Sequence, residues 1–381
     1  MTKSDDKRVP VLRFKGFTDE WEQHKLNSFL VEYKKKTKIN NQYPVLTSSR
    51  QGIFFQKDYY DGNQIASKNN IGYNIVPRNY FTYRHMSDDT IFHFNINTLC
   101  DYGIVSTLYP VFTTNNQLSS SWLYYYLNYG NDMKRYALLQ KQGSSRTYMY
   151  LSKLKNMSGH IPSVKEQDNV AKMLLKIDNL IALQQRKLKL LKLMKNIVSY
   201  NLVVSHKLAS NNEIKWKAVY LKDIARIYQS TTITKKDLLP KGIPVFGAND
   251  YIGFYNKYNH ETDQVTICAR GASAGHPNYV KGPVWITGNS MVINVDETYI
   301  NKKFLYTLLT FTDLKRFVTG GAQPQITREN LNSLKILLPS IKAQNNLSAI
   351  IENLSINIRK VQLSINSAKR LKQFLLQNMF I

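Results

Sequence analysis

Residues 161–167 read IPSVKEQ and residues 338–344 read LPSIKAQ. The phrase is stated twice, 177 residues apart, and each copy opens a long run of helical character. Beyond the two prolines one heptad frame fits both runs. In the first, one series of seam positions is Val170, Ile177, Gln184, Leu191 and Val198, and the other is Leu174, Ile181, Leu188, Lys195 and Leu202. In the second, the matching series are Leu347, Leu354, Val361, Ala368 and Leu375, then Ile351, Ile358, Ile365, Lys372 and Met379. Apolar residues sustained at two positions of a heptad mark a coiled-coil seam. Lys195 and Lys372 interrupt it at equivalent places, and one polar seam position can fix register at some cost in stability. Neither run contains Gly or Pro, so each helix can continue for about 40 residues, roughly 60 Å at about 1.5 Å per residue. The two helices can pair parallel or antiparallel; the antiparallel pair, which gives the molecule a pseudo-twofold axis, is the expected arrangement.

Working outward, further anchors repeat in the same order. Trp21 and Leu26 match Trp216 and Leu221, and YPVLTSSRQGIFF (43–55) resembles IPVFGANDYIGFY (243–255). WLYYYL followed by Lys134-Arg135 resembles FLYTLL followed by Lys315-Arg316, and QGSSRTYMYLSKL (142–154) parallels GGAQPQITRENL (320–331). Five ordered anchors indicate a tandem of two similar units with variable loops. Ahead of each long helix, DQVTICARGA, GPVWITGNSMVINV, RNYFTYRH and GIVSTLYPVF read as strands, rich in β-branched and aromatic residues. Short helices are expected at 119–139 and 301–317. The fold class is therefore α/β in the α+β sense: two mixed bodies, each followed by a long helix, with a pseudo-twofold internal repeat.

The chain of 381 residues carries 52 Lys and Arg against 26 Asp and Glu, a net charge of +26. Such an excess calls for a polyanion, and nucleic acid is the commonest. An acidic membrane surface or an acidic protein is the blander alternative. The 25 tyrosines and 16 phenylalanines, many beside Asn, Lys or Arg, suit base contacts as well as core packing. Two distant cysteines, Cys100 and Cys268, without CxxC spacing, argue against a disulfide scaffold or zinc site and fit a reducing, cytoplasmic location. The stretch MTKSDDKRVPVLRFKGF (1–17) has no apolar run like that of a signal peptide, and no uninterrupted stretch of about 18 apolar residues occurs, so a soluble protein is expected.

Catalysis by this chain itself is not indicated. There is no G-x-G turn, no Pro-Pro pair of the kind adenine methyltransferases carry, and no phosphate-binding G-x-x-x-x-G-K-[ST] loop. The E-x-K triplets at Glu32–Lys34 and Glu213–Lys215 are too short to indicate a nuclease. His260 and His276 lack a third metal ligand at suitable spacing.

The chain resembles the specificity subunit of type I restriction–modification enzymes. The likeness rests on LRFKGFTDEWEQHKL (12–26), IPVFGANDYIGFYNKYN (243–259), CARGASAGHPNYVKGPVWIT (268–287) and the two P-S-x-K-x-Q helix openers, and it runs through the whole chain. It implies target recognition domains at 1–160 and 208–337, each followed by a conserved coiled-coil helix at 161–207 and 338–381. It further implies a non-catalytic subunit that reads an asymmetric, bipartite double-stranded DNA target. Such a subunit joins two modification (methyltransferase) subunits and two restriction (translocase and nuclease) subunits. No cofactor is expected in this chain; S-adenosylmethionine, ATP and magnesium would belong to the partners. The first half departs from the pattern, with LTSSRQGIF and ASKNNIGYN where the second has FGAND and ARGASAGHPNY. The alternative is a nucleic-acid-binding protein without sequence preference, or a coiled-coil adaptor.

Polar residues in and beside the Gly-rich turns are the candidate DNA contacts. In the second half these are Asn249, Tyr251, Arg270, His276, Asn278, Tyr279, Thr287, Asn289, Gln323, Gln325 and Arg328. Gly271 and Gly275 would let the backbone approach DNA. In the first half they are Ser48, Ser49, Arg50, Gln51, Lys68, Asn69, Asn70, Tyr73, Lys141, Ser144, Ser145 and Arg146. Arg pairs with guanine O6 and N7, and Asn or Gln with adenine N6 and N7. The competing reading of each is a solvated turn residue or a phosphate contact without sequence meaning.

Overall fold

The computed structural model describes residues 9–62, 68–141, 146–203, 215–321 and 323–380. The chain divides into two compact units, Met1–Gln184 with Ser364–Ile381, and Gln185–Leu363. Each holds a globular body and a stretch of both long helices.

The two bodies share one construction. In unit 1 the strand Glu22–Lys25 pairs antiparallel with Ser158–Ile161, Glu22 opposite Ile161. In unit 2 Lys217–Tyr220 pairs antiparallel with Lys335–Leu338, Lys217 opposite Leu338. The second strand of each pair leads into the repeated phrase. Each body then carries a four-stranded sheet. In unit 1 the spatial order is Leu30–Glu32, Val111–Thr114, Phe81–Tyr83, Phe94–Ile96; in unit 2 it is Ala225–Gln229, Ser290–Val295, Gln264–Cys268, Pro277–Val280. Both read 1-4-2-3 when numbered along the chain. The central strand Gln264–Cys268, QVTIC, is buried at every position, as a β-branched strand covered on both faces should be. Short helices follow at Ser120–Tyr129 and Asn131–Leu139 in unit 1, within the expected 119–139, and at Lys302–Phe311 in unit 2, where the expected 301–317 gives way after Phe311 to a 3-10 turn at Lys315–Phe317. Trp21 and Trp122, both fully buried, meet edge to face at 5.9 Å in the unit 1 core.

The repeated phrase is explained by its glutamine. Gln167 is 1% exposed; its side-chain oxygen accepts from the backbone N–H of Ser119, the residue before helix Ser120–Tyr129, at 2.7 Å. Its amide donates to Pro162 O at 2.9 Å. Gln344, also 1% exposed, accepts from the N–H of Asn301, the residue before helix Lys302–Phe311, at 2.9 Å and donates to Pro339 O at 3.0 Å. One buried amide thus ties the start of the long helix to the start of a short one, in both units. A buried polar group is tolerated only when so bonded.

The long helices run Val164–Val203 and Ile341–Asn378. Every expected seam residue whose side chain is described is buried or half-buried, while all other positions from Asn179 to Ile197 are exposed; the side chain of Leu202 lies outside the described residues. In unit 1, Val170 and Leu174 share a core with Leu375, Met379 and Phe380. In unit 2, Val198 shares one with Leu347 and Ile351. The start of one helix meets the end of the other in each unit, which is the order of an antiparallel coiled coil. Lys372 is accommodated by Asp178 at 2.6 Å and by the faces of Tyr125 and Tyr129. Among the described residues no helix is long and apolar enough to cross a membrane.

Candidate nucleic-acid interface

In unit 1 the hairpin of strands Leu46–Ser49 and Gly52–Phe55 presents Arg50 and Gln51 at its exposed tip. It borders a cleft of about 960 Å³. Across the cleft the short strand Met86–Ser87 pairs with Thr147–Tyr148. Arg50 donates through Nη1 and Nη2 to both oxygens of Asp89 at 2.7 and 2.5 Å, and Arg146 donates through Nε to Asp88 at 3.0 Å. The Arg50 guanidinium, ahead of a hydrogen bond from Ser87, holds the Asp89 carboxyl far below the usual carboxylate range. His85 stacks on Tyr150 at 5.0 Å, and Tyr150 on Tyr148 at 5.9 Å.

The structure brings Ser48, Ser49, Arg50, Gln51 and Tyr73 to this cleft, with Arg146 beside it through Asp88. Lys141 is exposed at the end of helix Asn131–Leu139, and Ser144 and Ser145 lie outside the described residues. Lys68, Asn69 and Asn70 form a separate loop bonded to residues 37–41: Asn40 donates to Lys68 O at 2.9 Å, and the Asn41 N–H donates to Asn70 Oδ1 at 2.7 Å. Two of these candidates do not face solvent. Ser48 is buried; its hydroxyl donates to Thr82 O and accepts from Asn95. Asn70 is fully buried; its Nδ2 donates to Asn41 Oδ1 at 2.8 Å and its Oδ1 accepts from the Asn41 backbone N–H. They shape loops and offer no free edge to a base.

In unit 2 the candidates come from four loops that backbone bonds knit together. Ala269 N–H donates to Asn289 O at 3.0 Å, Gly271 N–H to Pro324 O at 2.8 Å, Ile326 N–H to Ala269 O at 3.0 Å, and Thr287 N–H to Phe246 O at 3.0 Å. Arg270 stands opposite Gln325 in an isolated antiparallel bridge. Gly275, at φ +83°, takes a conformation that L side chains rarely adopt. Asn249, Tyr251, Arg270, His276, Asn289, Gln323, Gln325 and Arg328 are exposed around this cluster and Asn278 half-exposed; Asn249 and His276 share a cleft of about 440 Å³ with Lys315. Two candidates are structural instead. Thr287 is 1% exposed, and its hydroxyl finds no partner. Tyr279 packs on the core, donates to Asp263 at 2.9 Å and lies under the Lys281 ammonium.

His260 is likewise internal. Nδ1 lies 2.6 Å from Asn259 Oδ1 and Nε2 lies 2.8 Å from Tyr228 Oη, so both ring nitrogens are engaged. Burial first, then the nearby Lys302 ammonium, lowers its pKa. Sequence reasoning passed over Asp88, Asp89, His85, Tyr148 and Tyr150. The signal was the alternation TYMY opposite HMSDD, two segments that become cross-strand partners.

Residues 213–367 match the family model described as type I restriction modification DNA specificity domain. A putative type I restriction enzyme specificity subunit of Haemophilus influenzae is 29% identical over 155 residues, 39% of this chain and 39% of that protein. The specificity subunit of the Escherichia coli enzyme EcoprrI is 25% identical over 146 residues, 37% of this chain and 36% of its own length. The chain thus aligns with under two fifths of each curated relative. The crystal structure of a type I restriction–modification S subunit from M. genitalium has the same fold, with a TM-score of 0.62 over 98% of this chain and 99% of that one at 16% identity. These agree with the likeness carried by the helix openers and Gly-rich turns.

Proposed function

We propose that this chain is the DNA specificity subunit of a type I restriction–modification complex. It reads an asymmetric target of two short half-sites, one by each unit, with the long helices setting the unread spacer between them. It performs no chemistry itself; modification subunits supply S-adenosylmethionine-dependent methylation, and restriction subunits supply ATP- and magnesium-dependent cleavage.

The observation that carries this reading is the doubled scaffold with unlike loops. The same 1-4-2-3 sheet and the same glutamine tie occur in both units, yet the polar cluster is an ion-paired cleft in one and a Gly-rich loop knot in the other. Two readers of one design but different chemistry recognise two different sequences. The net charge of +26 supplies the phosphate attraction that any duplex binder needs. The first long helix also leaves Leu183, Leu190 and Ile197, seven residues apart, 63%, 59% and 49% exposed, an apolar strip suited to partner subunits.

The test is co-expression with cognate modification subunits, followed by sequencing that maps methylated adenines. The expected motif has two unlike specified blocks around an unspecified spacer. A single contiguous block, or methylation without a motif, contradicts the reading. Salt-dependent binding to every duplex alike would favour the non-specific nucleic-acid binder instead.

A further inference from the structure

A chain with twice as many basic as acidic residues sets two carboxylates, Asp88 and Asp89, beside the arginines of its unit 1 cleft. Carboxylates there repel phosphate, so they cost affinity for any duplex. Exposed ion pairs add little stability, and both pairs are exposed: Arg50 at 54% with Asp89 at 47%, Arg146 at 52% with Asp88 at 66%. Their geometry is nonetheless tightly specified. Asp89 Oδ1 accepts from Ser87 Oγ at 2.8 Å and from the Ile91 N–H at 3.1 Å. Between them Thr90 is held at φ +66°, a strained value for a β-branched residue that persists only where the surroundings impose it. Ser87 Oγ also accepts from Arg50 Nη2, at 3.3 Å. The strand pairing that sets Thr147 opposite Ser87 brings Arg146 opposite Asp88.

Resting on the proposed DNA-reading role, we infer that Asp89 and Asp88 are positioning residues that hold Arg50 and Arg146 in place to read guanine edges in the half-site belonging to unit 1. A guanidinium has five N–H donors. Asp89 engages one donor on Nη1 and one on Nη2, and Ser87 Oγ takes Nη2 as well, so Nε–H and the second Nη1–H remain, each able to reach a single guanine acceptor, O6 or N7. The carboxylate does two jobs: it removes the side-chain freedom that a base contact would otherwise have to quench, and it discourages the arginine from settling on a phosphate. Specificity rises through a repulsive element as well as an attractive one.

The experiment uses the full complex with modification subunits. Competition binding is measured on its mapped target and on duplexes altered at one base pair each, over a salt series. Arg50→Gln and Asp89→Asn should both lose discrimination at the same G·C pair of one half-site, by about 5- to 50-fold, and leave the other half-site unchanged. Asp89→Asn should bind altered duplexes more tightly than wild type, with the log Kd against log salt slope steeper by about 0.9, one phosphate contact. Asp88→Asn, with Arg146→Gln, gives an independent reading at a second base pair should Asp89→Asn fail to fold. Unchanged discrimination in the Asp variants, or an equal loss at every position of both half-sites, overturns the inference while wild-type selectivity leaves the proposed function standing. A wild-type complex that does not distinguish target from altered duplexes overturns both.

Discussion

In unit 1 the hairpin arginine Arg50 is gripped through two nitrogens by Asp89, and Arg146 is held by Asp88 across a strand pair. In unit 2 Arg270 stands exposed opposite Gln325, and among the described residues no carboxylate pairs with it; there the backbone of four loops does the holding. The bodies beneath share sheet order and the tie from the long helix. The contrast shows which parts of this fold are constrained. A buried amide that satisfies a helix start cannot vary without leaving polar groups unpaired, whereas surface loops can exchange one way of fixing a guanidinium for another at little cost to the core.

The largest effect expected from breaking this symmetry is at Glu166, which unit 2 replaces by Ala343. Glu166 is 1% exposed and takes both Arg13 Nε and Nη2, at 2.7 and 2.8 Å. Glu166→Ala should destabilise unit 1 by about 3 kcal/mol, the low end for breaking a buried ion pair. Hydrogen exchange read separately on the two units should show the loss in unit 1. Next come Gln167→Ala and Gln344→Ala, each expected to cost about 2 kcal/mol because a buried N–H and carbonyl lose their partner. Similar melting shifts from both would confirm that the phrase does one job twice; a loss at only one would break the equivalence.

Much of this was legible beforehand. Heptad spacing marked the seam because a long helix exposes everything off the seam, as positions 179–197 do. The strands followed from runs rich in β-branched and aromatic residues bounded by Gly and Pro. The site was less legible. Ser48, Asn70 and Thr287 looked like loop-tip polar residues, but each is buried, and hydropathy cannot separate a solvated polar side chain from one that braces a turn. Asp88 and Asp89 were passed over because their partners lie 58 and 39 positions away, set by strand pairing that no local pattern reveals.

The seam lysines offer a finer contrast. Lys372 has Asp178 and two tyrosine faces, whereas Lys195, half-buried at the matching place, has no carboxylate partner among the described residues. Lys195→Leu should therefore stabilise the helix pair by about 1 kcal/mol through added apolar burial, and Lys372→Leu should destabilise it by about 1 kcal/mol by leaving Asp178 short of a partner, both by denaturant titration. The smallest effect concerns pH. His260 has a lowered pKa in the folded chain, so the unfolded chain binds its proton first as pH falls. Its contribution is full above about pH 6.5, the unfolded value, and is lost as pH drops through the folded value. Unit 2 should melt earlier on acidification below that point, and His260→Gln should flatten the slope.

The claim that two independent readers share one scaffold is met most directly by exchange. Residues 1–160 are replaced with the corresponding domain of another specificity subunit, and methylated adenines are mapped for the parent and the chimaera. One block of the motif should change while the second block and the spacer stay as they were. Alteration of both blocks, or of neither, would contradict the account.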